Sequence, residues 1–418
     1  MNEGRSFMEK KIHQLQVSYM RGREKILVGE LVCGGRRISF EYSPDFLKTG
    51  LQLSPFKLPL KAGPMWCEDT LFDGLFGVFN DSLPDGWGRL LLDRKLTQLG
   101  INLAQITPLD RLSYVGGCGM GALSYFPEIK PPACVMHEDL DHIAKECLQF
   151  QCNEDDFFVD DLLRMNGSSA GARPKILVTL VKEKFQATDP NPEKFHNDWI
   201  IKFGSIVDPT DIGPIEYAYH QMALSAGMDV PEAKLFFSKK DRGYFGVKRF
   251  DRVESGYLHM HSLSGLLHVD YRIPSLDYET LVKITQELTK SQEEVEKQFR
   301  HAIFNVLSHN RDDHGRNFSF LMCETGTWHV SPAYDLTFSS GPAGEHCTTL
   351  MGEGKNIKSS HFLALAKVGG IQEERAKEII EEVKAAMEKW PSFAEEAKVT
   401  KSSTAMIHKA LLQLIKAP

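Results

Sequence analysis

Near its start the chain alternates apolar and polar residues in short runs. Residues 12–19, 25–33 and 36–42 each carry the period of two of a half-buried strand. Arg21-Gly22-Arg23 and Gly34-Gly35 separate them as turns, which predicts a small β-rich module. At residues 84–99 the period becomes helical, with Trp87, Leu90, Leu91, Leu92 and Leu96 as the apolar side. The glycine run Gly116-Gly117-Cys118-Gly119-Met120-Gly121 reads as a tight turn into a strand at 122–126. It is not read as a phosphate loop: no Lys-Ser/Thr follows, and no acidic residue is placed to bind a ribose. Pro127, Pro131 and Pro132 mark a linker.

A helix is expected at 137–150, then a stretch of small residues, Asn166 to Lys175, leading into a strand at 176–181. Residues 182–197 are polar. A further strand at 198–203 carries Lys202, a helix at 214–226 carries Glu216, and 234–238 with 243–250 pair as a hairpin that Asp251-Arg252 ends. Past residue 260 the pattern turns helical: 276–289, then 293–308 with Phe299, Ile303, Phe304 and Leu307 at helical spacing, and two or three helices after residue 361. One hairpin, 317–323 with 327–330, interrupts them. Sheet first and helices second predict an α+β, two-lobed protein-kinase-like fold: a small β-rich lobe and a larger helical lobe, preceded by an N-terminal β-rich subdomain. The expected boundaries are 1–130, 131–260 and 261–418.

Composition narrows the function classes. The 418 residues allow two or three domains, and the formal net charge is −7 with no long basic run. A chain that grips a nucleic-acid backbone by itself needs clustered Lys and Arg, so direct DNA binding is not expected. The first sixteen residues are mostly polar and charged, unlike a secretory leader, and no apolar run reaches membrane-spanning length. Eight scattered cysteines without a Cys-x-x-Cys pair fit reduced thiols of a cytoplasmic protein.

The candidate chemistry lies between His309 and Ser339. Asp312 and Asn317 stand five apart, the Asp-x-x-x-x-Asn separation of a protein-kinase catalytic loop, and Asp335 follows the next hairpin in Tyr334-Asp335-Leu336. Phosphoryl transfer from ATP needs one carboxylate to orient and deprotonate a hydroxyl. It also needs an amide oxygen and a second carboxylate to hold metal ions at the phosphates. Lys202, flanked by Ile201 and Phe203, is costly to bury without an anion, and Glu216 in the next helix is a plausible partner. Small residues before a strand let a backbone approach a phosphate closely.

Together these stretches resemble a HipA-type serine/threonine kinase, the toxin of a bacterial toxin–antitoxin pair, over nearly the whole chain. The resemblance rests on Ser168-Ser169-Ala170-Gly171-Ala172-Arg173-Pro174-Lys175, Lys202 in its strand, Arg249-Phe250-Asp251-Arg252, Asp312 to Asn317, and Pro332 to Leu336. It implies that Asp312 is the proton acceptor and that Asn317 and Asp335 bind Mg2+. Ala170, Gly171, Ala172, Arg173, Pro174 and Lys175 would form the phosphate-facing loop, and Lys202 would contact the phosphates of ATP, supported by Glu216. Lys248, Arg249 and Phe250 would cradle the adenine through hinge backbone groups. His314, Gly315, Arg316 and Tyr334 would also lie at the nucleotide, although a bracing role for the His314 ring is as consistent with the residues. Ser168 would be an autophosphorylated switch, its phosphate caught by Arg173 or Arg316. The family is commonly acidic where this chain has Lys248, which bears on nucleotide preference. The implied partners are a protein substrate such as an aminoacyl-tRNA synthetase, whose phosphorylation arrests growth, and a helix-turn-helix antitoxin through which operator DNA is met. The alternatives are a kinase-like nucleotide-binding corepressor, or a kinase for a lipid or small molecule.

Overall fold

The computed structural model describes residues 11–35, 37–129, 139–152, 159–166, 171–182, 184–188, 197–240 and 242–415. The early alternation folds as antiparallel strands β1 (Gln14–Arg21), β2 (Glu24–Gly34) and β3 (Arg37–Tyr42). Leu15, Val17, Tyr19, Leu31 and Phe40 are fully buried from them. β4 (Met65–Trp66) and β5 (Leu123–Phe126) complete a sheet ordered β4-β3-β2-β1-β5. Helices α1 (Pro44–Thr49), α2 (Gly77–Asn80), α3 (Gly86–Gln98) and α4 (Pro108–Val115) accompany it. Thr107 and Asp110 form a reciprocal capping box that starts α4.

The second unit holds α5 (Leu140–Gln151), α6 (Val159–Asn166), β6 (Lys175–Val181), β7 (Lys184–Ala187), β8 (Asp198–Lys202), α7 (Ile212–Ser225), β9 (Ala233–Phe236) and β10 (Tyr244–Lys248). Its strands are antiparallel in the order β7-β6-β8-β10-β9, so Lys202 stands on the central strand. The short helix α6 was not expected; its eight residues are too few for a periodic pattern to stand out.

The third unit begins with β11 (Arg252–Val253) and β12 (Gly256–Tyr257). Then come β13 (His259–Ser262), α8 (Leu263–Leu267), β14 (Leu276–Asp277), α9 (Tyr278–Thr289) and α10 (Gln292–Leu307). β15 (Ser319–Met322) and β16 (Trp328–Val330) form the expected hairpin, to which β13 adds a third strand. After β17 (Thr348–Thr349) come α11 (Ser359–Val368), α12 (Glu373–Glu388), α13 (Trp390–Glu396) and α14 (Lys401–Ile415). Four helices stand where two or three were expected, because Pro391 opens α13 as a separate helix. Among the described residues no helix is long and apolar enough to cross a membrane.

Packing crosses the boundaries expected at 130 and 260. One core joins the N-terminal sheet to the helical lobe and takes in Ile215, Ala218, Tyr219 and Met222 of α7. A smaller core lies on the second sheet and takes in Trp87 and Leu91 of α3. The glycine run is the expected turn, and its polar groups are engaged within the chain. The carbonyls of Gly119 and Gly121 accept hydrogen bonds from Arg249 and Arg252, while the Gly121 N–H donates to Asp251. Both arginines and Asp251 are buried.

Two buried histidines and a half-buried one give the fold a pH dependence. His259 packs between Tyr19 and Trp328, His301 against Phe318, and His309 against Phe338. Burial, above all, pushes their pKa values down to about 3, about 4 and about 4. The unfolded chain, with histidines near about 6.5, therefore binds more protons below that pH, and acid favours unfolding. Lowering the pH from 7 to 5 should lower the urea midpoint, His259 and His301 contributing about 1–2 kcal/mol each and the half-buried His309 less. His301→Gln should flatten the dependence; a wild-type midpoint constant over that range would contradict this account.

Candidate active site

The catalytic-loop candidate follows directly from α10 and is fixed from beneath. The Asn310 amide donates to Asn305 at 2.9 Å, Asn305 donates to the Tyr278 hydroxyl at 2.9 Å, and that hydroxyl donates to Asp313 at 2.7 Å. Asp313 is fully buried and accepts further hydrogen bonds from His346 Nδ1, the Cys347 N–H and the Thr348 N–H, at 2.8, 2.8 and 3.2 Å. Its neighbour Asp312 faces outward, with its side chain 61% exposed. Desolvation by the surrounding loop raises the Asp312 pKa; His314 opposes this, and the Asp335 carboxylate adds to the rise. The Asn317 amide nitrogen donates to the Asp312 carbonyl at 2.6 Å, which leaves its oxygen as an acceptor. His314 Nδ1 accepts from the Arg316 N–H at 3.3 Å, and its Nε2 is 3.9 Å from Asp312. The ring thus braces the loop.

Opposite lies a chain of alternating charges drawn from both lobes. Lys202 Nζ contacts Asp335 and lies 3.0 Å from Glu216. Glu216 lies 3.0 Å from Arg173, which pairs with Asp208 at 3.0 Å. Sheet register places Lys175 directly across from Lys202. Like charges directly opposed destabilise a sheet, and both lysines are heavily buried here, so the pair calls for anions. Burial lowers the Lys175 pKa. At Lys202 burial acts the same way, but Asp335 and Glu216 outweigh it and hold the ammonium charged. Burial would raise the Asp335 carboxyl; Lys202 and Lys175 overcome this and keep it ionised, well below the usual carboxylate range. Asp335 also sits at φ 55°, an unusual conformation for a side-chain-bearing residue.

The remaining candidates divide into two groups. Gly171, Ala172, Arg173, Pro174 and Lys175 lead into β6 beside the charge chain, whereas Ser168 and Ala170 lie outside the described residues. The adenine cradle expected of Lys248 to Phe250 is narrower than expected. The Lys248 N–H donates to the Glu232 carbonyl and the Arg249 N–H to the Asp198 carbonyl, so neither amide is left for a base. The Arg249 side chain is held by Asp251 and Gly119, and the Phe250 ring packs 5.6 Å from Tyr334. Arg316, expected at the nucleotide or as a phosphate clamp, is committed to Asp85 at 2.5 Å and to the Asn80 carbonyl at 3.1 Å. The Gly315 carbonyl accepts from the Ser264 N–H, and a Cβ at Gly315 would lie 2.7 Å from Leu276. The Tyr334 hydroxyl bonds the Arg316 carbonyl and Ser319. These last three residues build the loop rather than line it. Asp208 and Asp85 were missed: nothing in a lone acidic residue beside a turn foretells a partner tens of residues away.

Comparison with known proteins identifies the family and the fold. A model of the HipA-like C-terminal domain matches residues 167–390, more than half of the chain, and a model of the HipA N-terminal domain matches residues 23–126. HipA of Shewanella oneidensis MR-1, solved with HipB and its operator DNA, superposes with a TM-score of 0.68 over 96% of each chain at 18% identity. The Sinorhizobium fredii protein named "Putative kinase Y4dM" is 28% identical over 151 residues, 33% of this chain and 36% of that protein. The alignment thus spans about a third of that relative's length.

The two adjacent carboxylates should respond oppositely to substitution. Asp313→Ala strips a buried acceptor from four donors and should destabilise by about 3–5 kcal/mol. Asp312→Asn should leave the unfolding midpoint unchanged or slightly higher, because the folded loop disfavours the Asp312 charge. Denaturant titration of both variants checks this. A stable Asp313→Ala protein would mean that the loop is held some other way.

Proposed function

The chain belongs to the HipA family, and from that premise we propose that it is an ATP-dependent serine/threonine protein kinase. One observation carries the reading: an exposed carboxylate with a raised pKa, Asp312, lies within electrostatic reach of Asp335, the carboxylate that pairs with Lys202 opposite Lys175. In the proposed reaction Asp312 accepts the proton of a Ser or Thr hydroxyl. The hydroxyl oxygen bonds to the γ-phosphorus, the bond to the β,γ-bridging oxygen breaks, and ADP leaves. Lys202 and Lys175 hold the phosphates, with Glu216 fixing Lys202 and Arg173.

The donor set fits Mg2+. Asp335 is an ionised carboxylate and Asn317 offers an amide oxygen, both hard oxygen ligands of the kind magnesium takes alongside phosphates and water. Mg2+ held by these two residues would neutralise phosphate charge. The Lys202–Asp335 contact would then loosen, with the ammonium turned toward the phosphates.

The proposed substrate is a protein, with an aminoacyl-tRNA synthetase as the first candidate by family resemblance. A helix-turn-helix antitoxin comparable to HipB is the proposed partner, with operator DNA met through it. Autophosphorylation at Ser168 belongs to the same proposal.

Asp312→Asn should lower phosphoryl transfer by about 10²–10⁴ while nucleotide still binds, since only the general base is lost. Labelled ATP incubated with the chain and a cell lysate provides the assay; near wild-type turnover would rule Asp312 out as the base. Asp335→Ala should abolish the magnesium dependence of ATP binding measured by calorimetry. Equal affinity in wild type and Asp335→Ala with magnesium present would remove Asp335 from the metal site.

A further inference from the structure

Asp85 stands at the N-cap of α3 with the extended backbone of a capping residue, φ −118° and ψ 179°, yet its side chain makes no capping hydrogen bond. A free aspartate at this position ordinarily accepts from its own helix. Here both carboxylate oxygens are directed elsewhere. Oδ1 accepts from the N–H of Gly171, in the stretch that leads into β6. Oδ2 accepts from Arg316 Nη1 at 2.5 Å, in the catalytic loop. One carboxylate of the N-terminal subdomain therefore joins the two loops that frame the cleft, with its side chain only 14% exposed.

The surrounding backbone is built for this approach. The Trp87 N–H, in the first turn of α3, donates to the Gly171 carbonyl at 3.1 Å, so Gly171 is held from both of its polar groups. Gly86 has φ +41°, and a Cβ there would lie 2.6 Å from the Ala172 Cα. At Gly88 a Cβ would meet the Asn166 amide at 2.5 Å. Only glycines let α3 sit this close. Arg316 is in turn fixed by the Asn80 carbonyl and by the Tyr271 ring, 4.9 Å from its guanidinium carbon. Its backbone binds His314 and Tyr334, so a shift of Arg316 is passed to the loop that carries Asp312.

We infer that Asp85 is a positioning residue that latches the phosphate-facing loop to the catalytic loop, so that the N-terminal subdomain sets the grip on nucleotide. The latch is a statement of geometry; its consequence for ATP rests on the kinase reading above. Two measurements on the full-length chain separate them. Amide hydrogen exchange without nucleotide reports the latch alone. In Asp85→Ala, exchange at Gly171 should rise at least about tenfold while Leu177 and Val178 in β6 keep their protection, since losing a hydrogen bond to a charged group is worth about 1.5–3 kcal/mol. Binding of a non-hydrolysable ATP analogue with magnesium should weaken by a similar factor. Asp85→Asn has one oxygen for two donors, so it should keep one of the two contacts and weaken analogue binding less than Asp85→Ala does. Gly86→Ala, which leaves the carboxylate intact but forces α3 away, should loosen Gly171 as Asp85→Ala does, and serves if that variant does not fold. Wild-type exchange at Gly171 in folded Asp85→Ala or Gly86→Ala overturns the latch. A wild-type chain that binds no nucleotide overturns the kinase reading, and the exchange arm still decides the latch.

Discussion

Two ammonium groups opposed across the middle of a sheet are the constraint to which the cleft answers. Lys175 and Lys202 are paired by register on β6 and β8, where neither can easily reach bulk water. A buried cation is tolerated only beside anions, and the anions come from two other elements: Glu216 from α7 and Asp335 from the segment after β16. Satisfying the lysines therefore brings the sheet, α7 and the helical lobe to one point.

The N-terminal subdomain is fastened to this centre by buried polar contacts as well as by the shared core. Arg249, Asp251 and Arg252 lock the glycine turn to the end of the small sheet, with the Arg252 guanidinium 3.9 Å above the Tyr257 ring. Asp81 accepts from the Ser262 N–H at 2.7 Å and binds His261, whose other nitrogen lies 3.0 Å from Ser54. A serine, histidine and aspartate in such an array invite a nucleophilic reading. Ser54 and His261 are wholly buried, however, so no substrate reaches them and the trio acts as a clasp. Breaking one member of such a pair strands the other, which makes these contacts specific as well as stabilising.

Much of the fold could be read from periodicity, because strands β1 to β3 and helices α9 and α10 each have one buried side. The candidate Asp-x-x-x-x-Asn spacing could be picked out for a related reason: Asp312 and Asn317 sit in one short loop, where separation in sequence limits separation in space. What stayed hidden depends on contacts far apart in sequence. The reassignment of Arg316 follows from Asp85, 231 residues earlier, and no local pattern encodes it. The hinge differs for another reason: backbone N–H groups of Lys248 and Arg249 are consumed by neighbours that only the sheet order reveals. The packing of α3 and α7 across expected boundaries is hidden because an apolar stripe tells that a helix is covered, not by what.

Asp312 and Asp313 show how a chain can divide one residue type between opposite tasks. In an extended loop successive side chains point to opposite sides, so neighbours cannot share an environment. Asp313 turns into a pocket of four donors that fix its side chain and, with it, the path of the backbone. Asp312 is left outside that pocket, its own charge disfavoured by desolvation and by Asp335. The buried carboxylate holds the loop, and the held loop keeps the exposed one in place, where a raised pKa suits a proton acceptor better than an ordinary surface aspartate would. The spacing to Asn317 distinguishes the two only by one residue; their hydrogen bonds distinguish them completely.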